Sequence, residues 1–232
     1  FAQKTADEYG LTREEMDAFA IESLTRAQRA IDEGLNHREI AAVTIRTRRG
    51  EQCVSVDEQP HKANLEKIPQ LRPAFAESGT ITPANSSSIS DGASALLLAS
   101  EMATASNGLT PKARIVAHAR HSLAPESFTL APIGAVEKVL NKAGWNAKGV
   151  DLWEINEAFA MVTMLTTRAL DLDPACVNIH GGACAQGHPI GSTGSRVIVT
   201  LMHALQHYGK KRGVAALCIG GGEATAVAIE LI

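Results

Sequence analysis

The chain has 232 residues, of which 45% are hydrophobic, 4% aromatic and 20% charged, and its formal net charge is −3. That is enough for a sizeable core, too evenly charged for a nucleic-acid or membrane-surface protein, and too poor in aromatics for a site that stacks bases or sugars. No apolar run approaches the roughly 20 residues that span a bilayer. The four cysteines (Cys53, Cys176, Cys184, Cys218) form no CxxC pair, so neither a zinc site nor a disulfide framework is indicated, and reduced thiols in a cytosol-like compartment fit best.

The sequence opens on Phe1 without a signal peptide, and its first residues read as the inside of a helix, so the expectation is the C-terminal part of a longer polypeptide. A helical pattern over residues 3–9 closes at Gly10. Thr12 and Glu15 then form a capping box. A long amphipathic helix follows, with Met16, Phe19, Ala20, Leu24, Ala27 and Ile31 on one face, and Gly34 stops it. Residues 43–46 and 53–56 alternate like the two strands of a hairpin around Arg49-Gly50. From 57 to 90 the chain is rich in Pro, Ser, Thr and Asn, with little periodicity. The apolar anchor LRPAF at 71–75 favours an ordered binding excursion there over disorder. An apolar run over 93–99 reads as a buried strand, and a short helix ends near Asn107-Gly108.

Beyond Lys112 the rhythm becomes α/β. Strands are predicted at 113–117, 151–155, 177–180, 214–219 and 224–232. Helices are predicted at 132–143, with Pro132 at N1 and Gly144 after its end, at 156–169 and at 192–208. Strands alternating with helices imply a mostly parallel sheet covered on both faces. In such sheets ligands gather at the carboxyl ends of strands. Three of these ends are suspicious: Asn156-Glu157, the Gly/His loop after 177–180, and Cys218 followed by three glycines.

The stretch 178–196, NIHGGACAQGHPIGSTGSR, organises the chain. Its five glycines give a loop that can approach a ligand closely, and it empties onto a helix N-terminus, which favours negative charge. His188, between Gly187 and Pro189, can titrate near neutral pH and reach a substrate. A phosphate cradle does not fit, because there is neither a GxGxxG nor a Lys after the glycines.

GGACAQGHPIGSTGSR resembles the GGA-x-A-x-GHP-x-G-x-(S/T)-G-x-R signature of the thiolases. NEAFA at 156–160 and CIGGG at 218–222 stand where that family has them, and GTITPANSSSISDGASALLL at 79–98 is similar to the thiolase segment running from the CoA-binding loop into the core. The resemblance covers nearly the whole chain. It implies an α/β fold, the layered αβαβα thiolase core. This chain would hold the second core half (112–232), the end of the first half (91–111) and part of the inserted CoA-binding loop domain (1–90).

The candidate site residues carry two readings each. Alone, Cys218 reads as a small core residue, His188 as an exposed loop histidine and Asn156 as the N-cap of helix 156–169. The glycines after Cys218 leave the Gly220 N–H free to donate, and a thiolate near an imidazolium is activated, although the residues leave base and nucleophile open. The resemblance implies that Cys218 is the base for the α-proton of a second acetyl-CoA. It implies that His188 activates a nucleophilic cysteine absent from this chain and donates to the thioester oxyanion. Asn156 would hold a water that completes that site with His188, and Gly220 would donate to a second oxyanion.

Ser87, Phe75, Ala158 and Phe159 would line the pantetheine chain, and His61 or Lys62 would meet the CoA phosphates. Glu157 is a second-layer partner, His180 is expected to shape the acyl pocket, and Cys184 reads as a packing variant. The pair His203/His207 lacks a carboxylate or cysteine for a metal, and none is expected.

The implied activity is acetyl-CoA C-acetyltransfer: two acetyl-CoA give acetoacetyl-CoA and CoA by Claisen condensation, with no metal or redox cofactor. The implied partners are acyl-CoA substrates, a missing N-terminal portion or partner chain carrying the nucleophilic cysteine, and a second copy in a homo-oligomer, dimer or tetramer. Neither nucleic acid nor membrane is among them. The fragment alone is expected to be inactive. The expected location is cytoplasmic, with mitochondria or peroxisomes as the alternatives in a eukaryote. Three rivals stand beside this reading: a degradative 3-ketoacyl-CoA thiolase, a condensing enzyme of the ketoacyl-synthase type (against which Cys218 argues, since a second histidine belongs there), and a non-catalytic CoA-binding scaffold.

Overall fold

A computed structural model describes all 232 residues. Helix α1 (Ala2–Glu8) ends before Gly10, whose φ of +60° suits glycine. Helix α2 (Arg13–Asp32) starts on the expected capping box. The Thr12 hydroxyl accepts from the Glu15 N–H at 3.1 Å, and the Glu15 carboxylate accepts from the Thr12 N–H at 2.9 Å. Its inner face buries Met16, Ala20, Leu24 and Ala27, and Gly34 with φ +69° follows its end.

Strands β1 (Val43–Thr47) and β2 (Gly50–Val54) form the predicted hairpin, with Arg48-Arg49 as its turn. The return strand begins three residues earlier than the alternation suggests. Thr47 closes the turn through its hydroxyl, which accepts from the Arg49 N–H and donates to the Gly50 carbonyl. Every residue of the hairpin is exposed.

The excursion 57–90 is ordered, as expected. It holds α3 (Gln59–Lys62) and a 3-10 turn at Leu65–Gln70. Arg13 of α2 donates to the carbonyls of Ile68 and Leu71 at 3.2 and 2.8 Å. Asp17 of α2, itself buried, accepts from the Asn85 amide at 3.0 Å. The buried strand expected over 93–99 does not form. Leu97 is 86% and Leu98 69% exposed, and the segment pairs with no strand of this chain. Helix α4 (Glu101–Ser106), capped by Ser100, follows it.

Strand β3 (Ala113–Ser122), helix α5 (Ala131–Ala143), strand β4 (Leu152–Ile155), helices α6 (Ala160–Ala169), α7 (Ala183–Gln186) and α8 (Thr193–His207), and strands β5 (Arg212–Cys218) and β6 (Glu223–Leu231) complete the chain. The four strands form one sheet in the order β3-β6-β5-β4. Only β4 and β5 run parallel; β5–β6 and β3–β6 are antiparallel, which corrects the mostly parallel sheet. The reason is the short connection after Cys218: a few residues can close a hairpin, whereas a parallel return needs a dozen or more.

The strand predicted at 177–180 shrinks to one bridge, Val177 to Trp153. Asn178 turns left-handed there (φ +47°), and its side-chain amide takes the place of a backbone ladder, accepting from the Ile155 N–H and donating to the Ile155 carbonyl, each at 2.8 Å.

Both faces of the sheet are covered, as expected. Trp153, Ile155, Val214 and Ala216 pack with Val136 and Val139 of α5. Leu152, Ala215 and Ile229 pack with Val197, Leu201 and Leu205 of α8. Each large aliphatic side chain buried in this way contributes about 1.5–3 kcal/mol. Gly213 lets α8 lie close on β5, because a Cβ there would stand 2.8 Å from Leu201 Cδ1.

Candidate active site

Parallel pairing puts the carboxyl ends of β4 and β5 at one edge of the sheet. Ile155 pairs with Ala216, and the Asn156 N–H extends the ladder to the Ala216 carbonyl at 2.9 Å. Asn156 therefore leaves the sheet next to Cys218, the last residue of β5.

Asn156 is not a helix cap. Helix α6 starts four residues later, at Ala160, with Phe159 at its N-cap. Residues 156–159 instead lie outside the helix, beside the serine strip. The Ser87 N–H and hydroxyl both donate to the Ala158 carbonyl at 3.1 Å, and the Asn85 carbonyl accepts from the Ala160 N–H at 2.8 Å. The Asn156 amide is thus left over. It is 1% exposed, and neither its oxygen nor its nitrogen has a partner. A buried amide without partners costs about 1–3 kcal/mol, which marks a place where a water or ligand group fits.

The same serine strip carries His188. The His188 N–H donates to the Ser88 carbonyl at 2.9 Å, and Ile89 bridges to His188 in parallel. The strip 85–89 therefore ties the turn after β4 to the Gly/His loop. His188 Nδ1 lies 2.6 Å from the Thr193 hydroxyl, which donates its one proton to the Pro189 carbonyl at 3.0 Å. The hydroxyl must then accept from Nδ1–H, which leaves Nε2 with the free lone pair. The half-buried ring is held neutral: burial, with a smaller push from the Arg196 guanidinium, lowers its proton affinity below the ordinary value.

Cys218 is buried against Met161 and its neighbours, and burial pushes its thiol up to about 11. In this chain it is a protonated thiol at neutral pH. After it, the Gly220 N–H makes no backbone hydrogen bond, so the donor is free, while the Gly222 carbonyl accepts from the Leu123 N–H at 2.9 Å and anchors the turn. Gly222 has φ +105°, and a side chain on it would strike the Leu123 carbonyl.

Glu157 is the buried junction behind the loop. Its carboxylate accepts from the Ser23 hydroxyl (2.8 Å), the Asn178 amide (2.9 Å) and the Cys184 N–H (3.0 Å), while burial raises its pKa. Gly182 passes against this carboxylate so closely that a Cβ would strike it. The Cys184 thiol donates to the Glu157 carbonyl at 3.7 Å, and burial raises it well above the ordinary value, so it packs as expected.

Phe75, 67% exposed, meets Phe159 edge-on at 6.5 Å, and Phe128 also meets Phe159 edge-on, at 6.4 Å. Ser87 spends its hydroxyl proton on Ala158 and keeps its lone pairs. His61 sits on α3 3.4 Å from Asp32, and Gln59 of the same helix accepts from the Ser88 hydroxyl at 3.0 Å.

The His180 ring turns towards Tyr208. Its Nε2 lies 3.3 Å from the hydroxyl of Tyr208, just past the end of α8, and burial drops its pKa to about 4. A 15-residue helix is roughly 22 Å long, and His188 stands at its other end. The His180 ring thus packs on Tyr208, while the His180 carbonyl accepts from the Gln186 side chain of the loop at 3.0 Å. Sequence reasoning missed Phe128 and the orienting Thr193. The (S/T) position of the signature pointed to Thr193, but nothing in the local sequence of Phe128 does.

No helix is long and apolar enough to cross a membrane. Residues 109–231 match the family model described as "Thiolase, C-terminal domain", and residues 1–102 match "Thiolase, N-terminal domain". A probable acetyl-CoA acetyltransferase of Dictyostelium discoideum is 48% identical over 97% of this chain and 55% of its own length. The crystal structure of the Bacillus anthracis acetyl-CoA acetyltransferase superposes on the whole chain with a TM-score of 0.96 at 40% identity, over 59% of its own length. That of human mitochondrial 3-ketoacyl-CoA thiolase does so with 0.92 at 38%, also over 59%. The chain thus spans a little over half the length of the relatives it matches.

Proposed function

Since the chain belongs to the thiolase family, we propose that the protein carrying it transfers an acetyl group between CoA thioesters, joining two acetyl-CoA into acetoacetyl-CoA with release of CoA. The observation that carries this reading is the partnerless buried amide of Asn156 beside the Cys218 end of β5.

In this scheme His188 Nε2 takes the proton of a nucleophilic cysteine that lies outside these residues, in a further segment of the protein or a partner chain. The thiolate attacks the first thioester, CoA leaves with the proton, and an acyl-enzyme remains. Cys218 next passes its proton to the vacated His188 Nε2, and the thiolate so formed removes the α-proton of the second acetyl-CoA. A base of high proton affinity suits so weak an acid. The carbanion attacks the acyl-enzyme, and the leaving enzyme thiolate takes back the proton held on His188, which restores the starting state. Charge on the thioester oxygen meets His188 and a water on Asn156. Charge on the tetrahedral adduct meets the Gly220 N–H, and each such donor is worth about 3 kcal/mol in the barrier. The groups that move protons are all side chains, and the scheme asks for no resident metal or redox cofactor.

Phe75, Phe159, Ala158 and Ser87 would flank the pantetheine, and His61 or Lys62 the nucleotide phosphates. The domain limits at 90 and 111 follow the same reading. The exposed hairpin β1–β2 supports a homo-oligomer, since an isolated two-stranded hairpin is marginal without a surface to pack on. We place the protein in the cytoplasm.

The test is direct. The full-length protein with acetyl-CoA alone should form acetoacetyl-CoA, and with acetoacetyl-CoA and CoA should run backwards. Likeness to a 3-ketoacyl-CoA thiolase supports a second, degradative reading. A rate that rises with acyl-chain length favours that reading, and no turnover with any chain length removes both.

A further inference from the structure

Glu154 is a charged residue in a strand that is otherwise apolar, and its side chain is on the α8 side of the sheet with Leu152. It is 2% exposed, and Arg196 Nη1, in the first turn of α8, reaches its carboxyl at 3.4 Å. Burial, reinforced by the nearby carboxyls of Glu39 and Glu157, pushes the Glu154 pKa to about 8 against the pull of Arg196. At neutral pH the contact is therefore a charged guanidinium N–H donating to a carboxyl oxygen. That charge faces Glu39 from the segment after α2, Asp57 from the excursion, Glu154 and Glu157 from around β4, and His188 from its own loop.

The two ends of this contact lie beside the two halves of the proposed oxyanion site. Glu154 stands two residues before Asn156. Arg196 stands three after Thr193, which orients His188, and its N–H donates to the Ser192 carbonyl at 2.9 Å. The contact thus pins the first turn of α8 to the last turn-out of β4. We propose that Arg196, through Glu154, is a positioning residue that fixes the His188 imidazole relative to the Asn156 amide. The inference rests on the thiolase reading and goes beyond it, since Arg196 itself touches neither substrate nor reacting atoms.

A misplacement of about 1 Å costs up to a hundredfold in rate. In the full-length protein, Arg196→Met should lower kcat on the order of tenfold or more with KM little changed. It should also move the acidic limb of the pH–rate profile to higher pH, because a cation that disfavours protonation of His188 is gone. Arg196→Lys should keep the limb near its place, since the charge remains, and still lower kcat, since one amine cannot hold the same geometry. If Arg196→Met does not fold, Arg196→Lys carries the test. A wild-type kcat in whichever variant folds overturns the inference, as does an unmoved acidic limb in Arg196→Met. A fully active His188→Ala measured alongside would instead sink the thiolase reading itself.

Discussion

His188 Nδ1 lies 2.6 Å from the Thr193 hydroxyl, and that hydroxyl is committed to the Pro189 carbonyl. This short chain of contacts decides which ring nitrogen is the base. Thr193→Val keeps the shape and removes the acceptor. The expected result is a fall in kcat/KM on the order of tenfold to a hundredfold for loss of an orienting hydrogen bond, with a stability loss of only about 1 kcal/mol. Steady-state kinetics and a thermal melt of the same sample check both. An unchanged kcat/KM would mean that Thr193 does not set the tautomer.

Asn156 separates stability from function. Its amide is buried without partners, so truncation removes an unmet cost of about 1–3 kcal/mol along with some packing. Asn156→Ala should leave the melting temperature level or raised while turnover falls on the order of a hundredfold, as for other lost oxyanion donors. A clear drop in melting temperature with normal turnover would make Asn156 a packing residue.

Gly182 has no room for a methyl group beside Glu157. Gly182→Ala should destabilise the protein by about 1–3 kcal/mol through overpacking, read as a lower denaturant midpoint. If the Glu157 junction with Ser23, Asn178 and the Cys184 N–H shapes the loop, activity should fall as well. A stable, fully active Gly182→Ala would show that the loop does not depend on this junction.

The buried Glu154 gives a pH signature. Its pKa is raised from 4.5 to about 8 in the folded chain, so between those values the native state binds more protons than the unfolded one. Stability from this group is then fully present below about pH 4.5 and is lost as pH rises towards 8. Glu154→Gln stays neutral and should flatten that decline. Denaturant unfolding of both proteins across this window tests it, and parallel curves would remove Glu154 as the cause.

The sequence showed most of this and missed specific parts for physical reasons. The capping box at Thr12, the ordered excursion and the helices α5 and α8 are local, and their caps and periods are visible in single segments. The antiparallel sheet was hidden because pairing is a long-range choice: β3 seeks β6 across more than a hundred residues. The run 93–99 has strand composition and no strand beside it here. Asn156 looked like a cap because Asn is a common one, and only the strip 85–89 lying against Ala158 shows why the helix starts later. His180 sits in the signature stretch, yet its ring ends beside Tyr208, a partner 28 residues on that its local sequence does not show.

The proposed division of labour between His188 and Cys218 can be read in one variant of the full-length protein. Cys218→Ala should still exchange labelled CoA into acetyl-CoA, because forming the acyl-enzyme needs only the nucleophile and His188, yet it should make no acetoacetyl-CoA. Condensation at the wild-type rate by Cys218→Ala, or loss of the exchange together with the condensation, would contradict the assignment of Cys218 as the base for the second substrate.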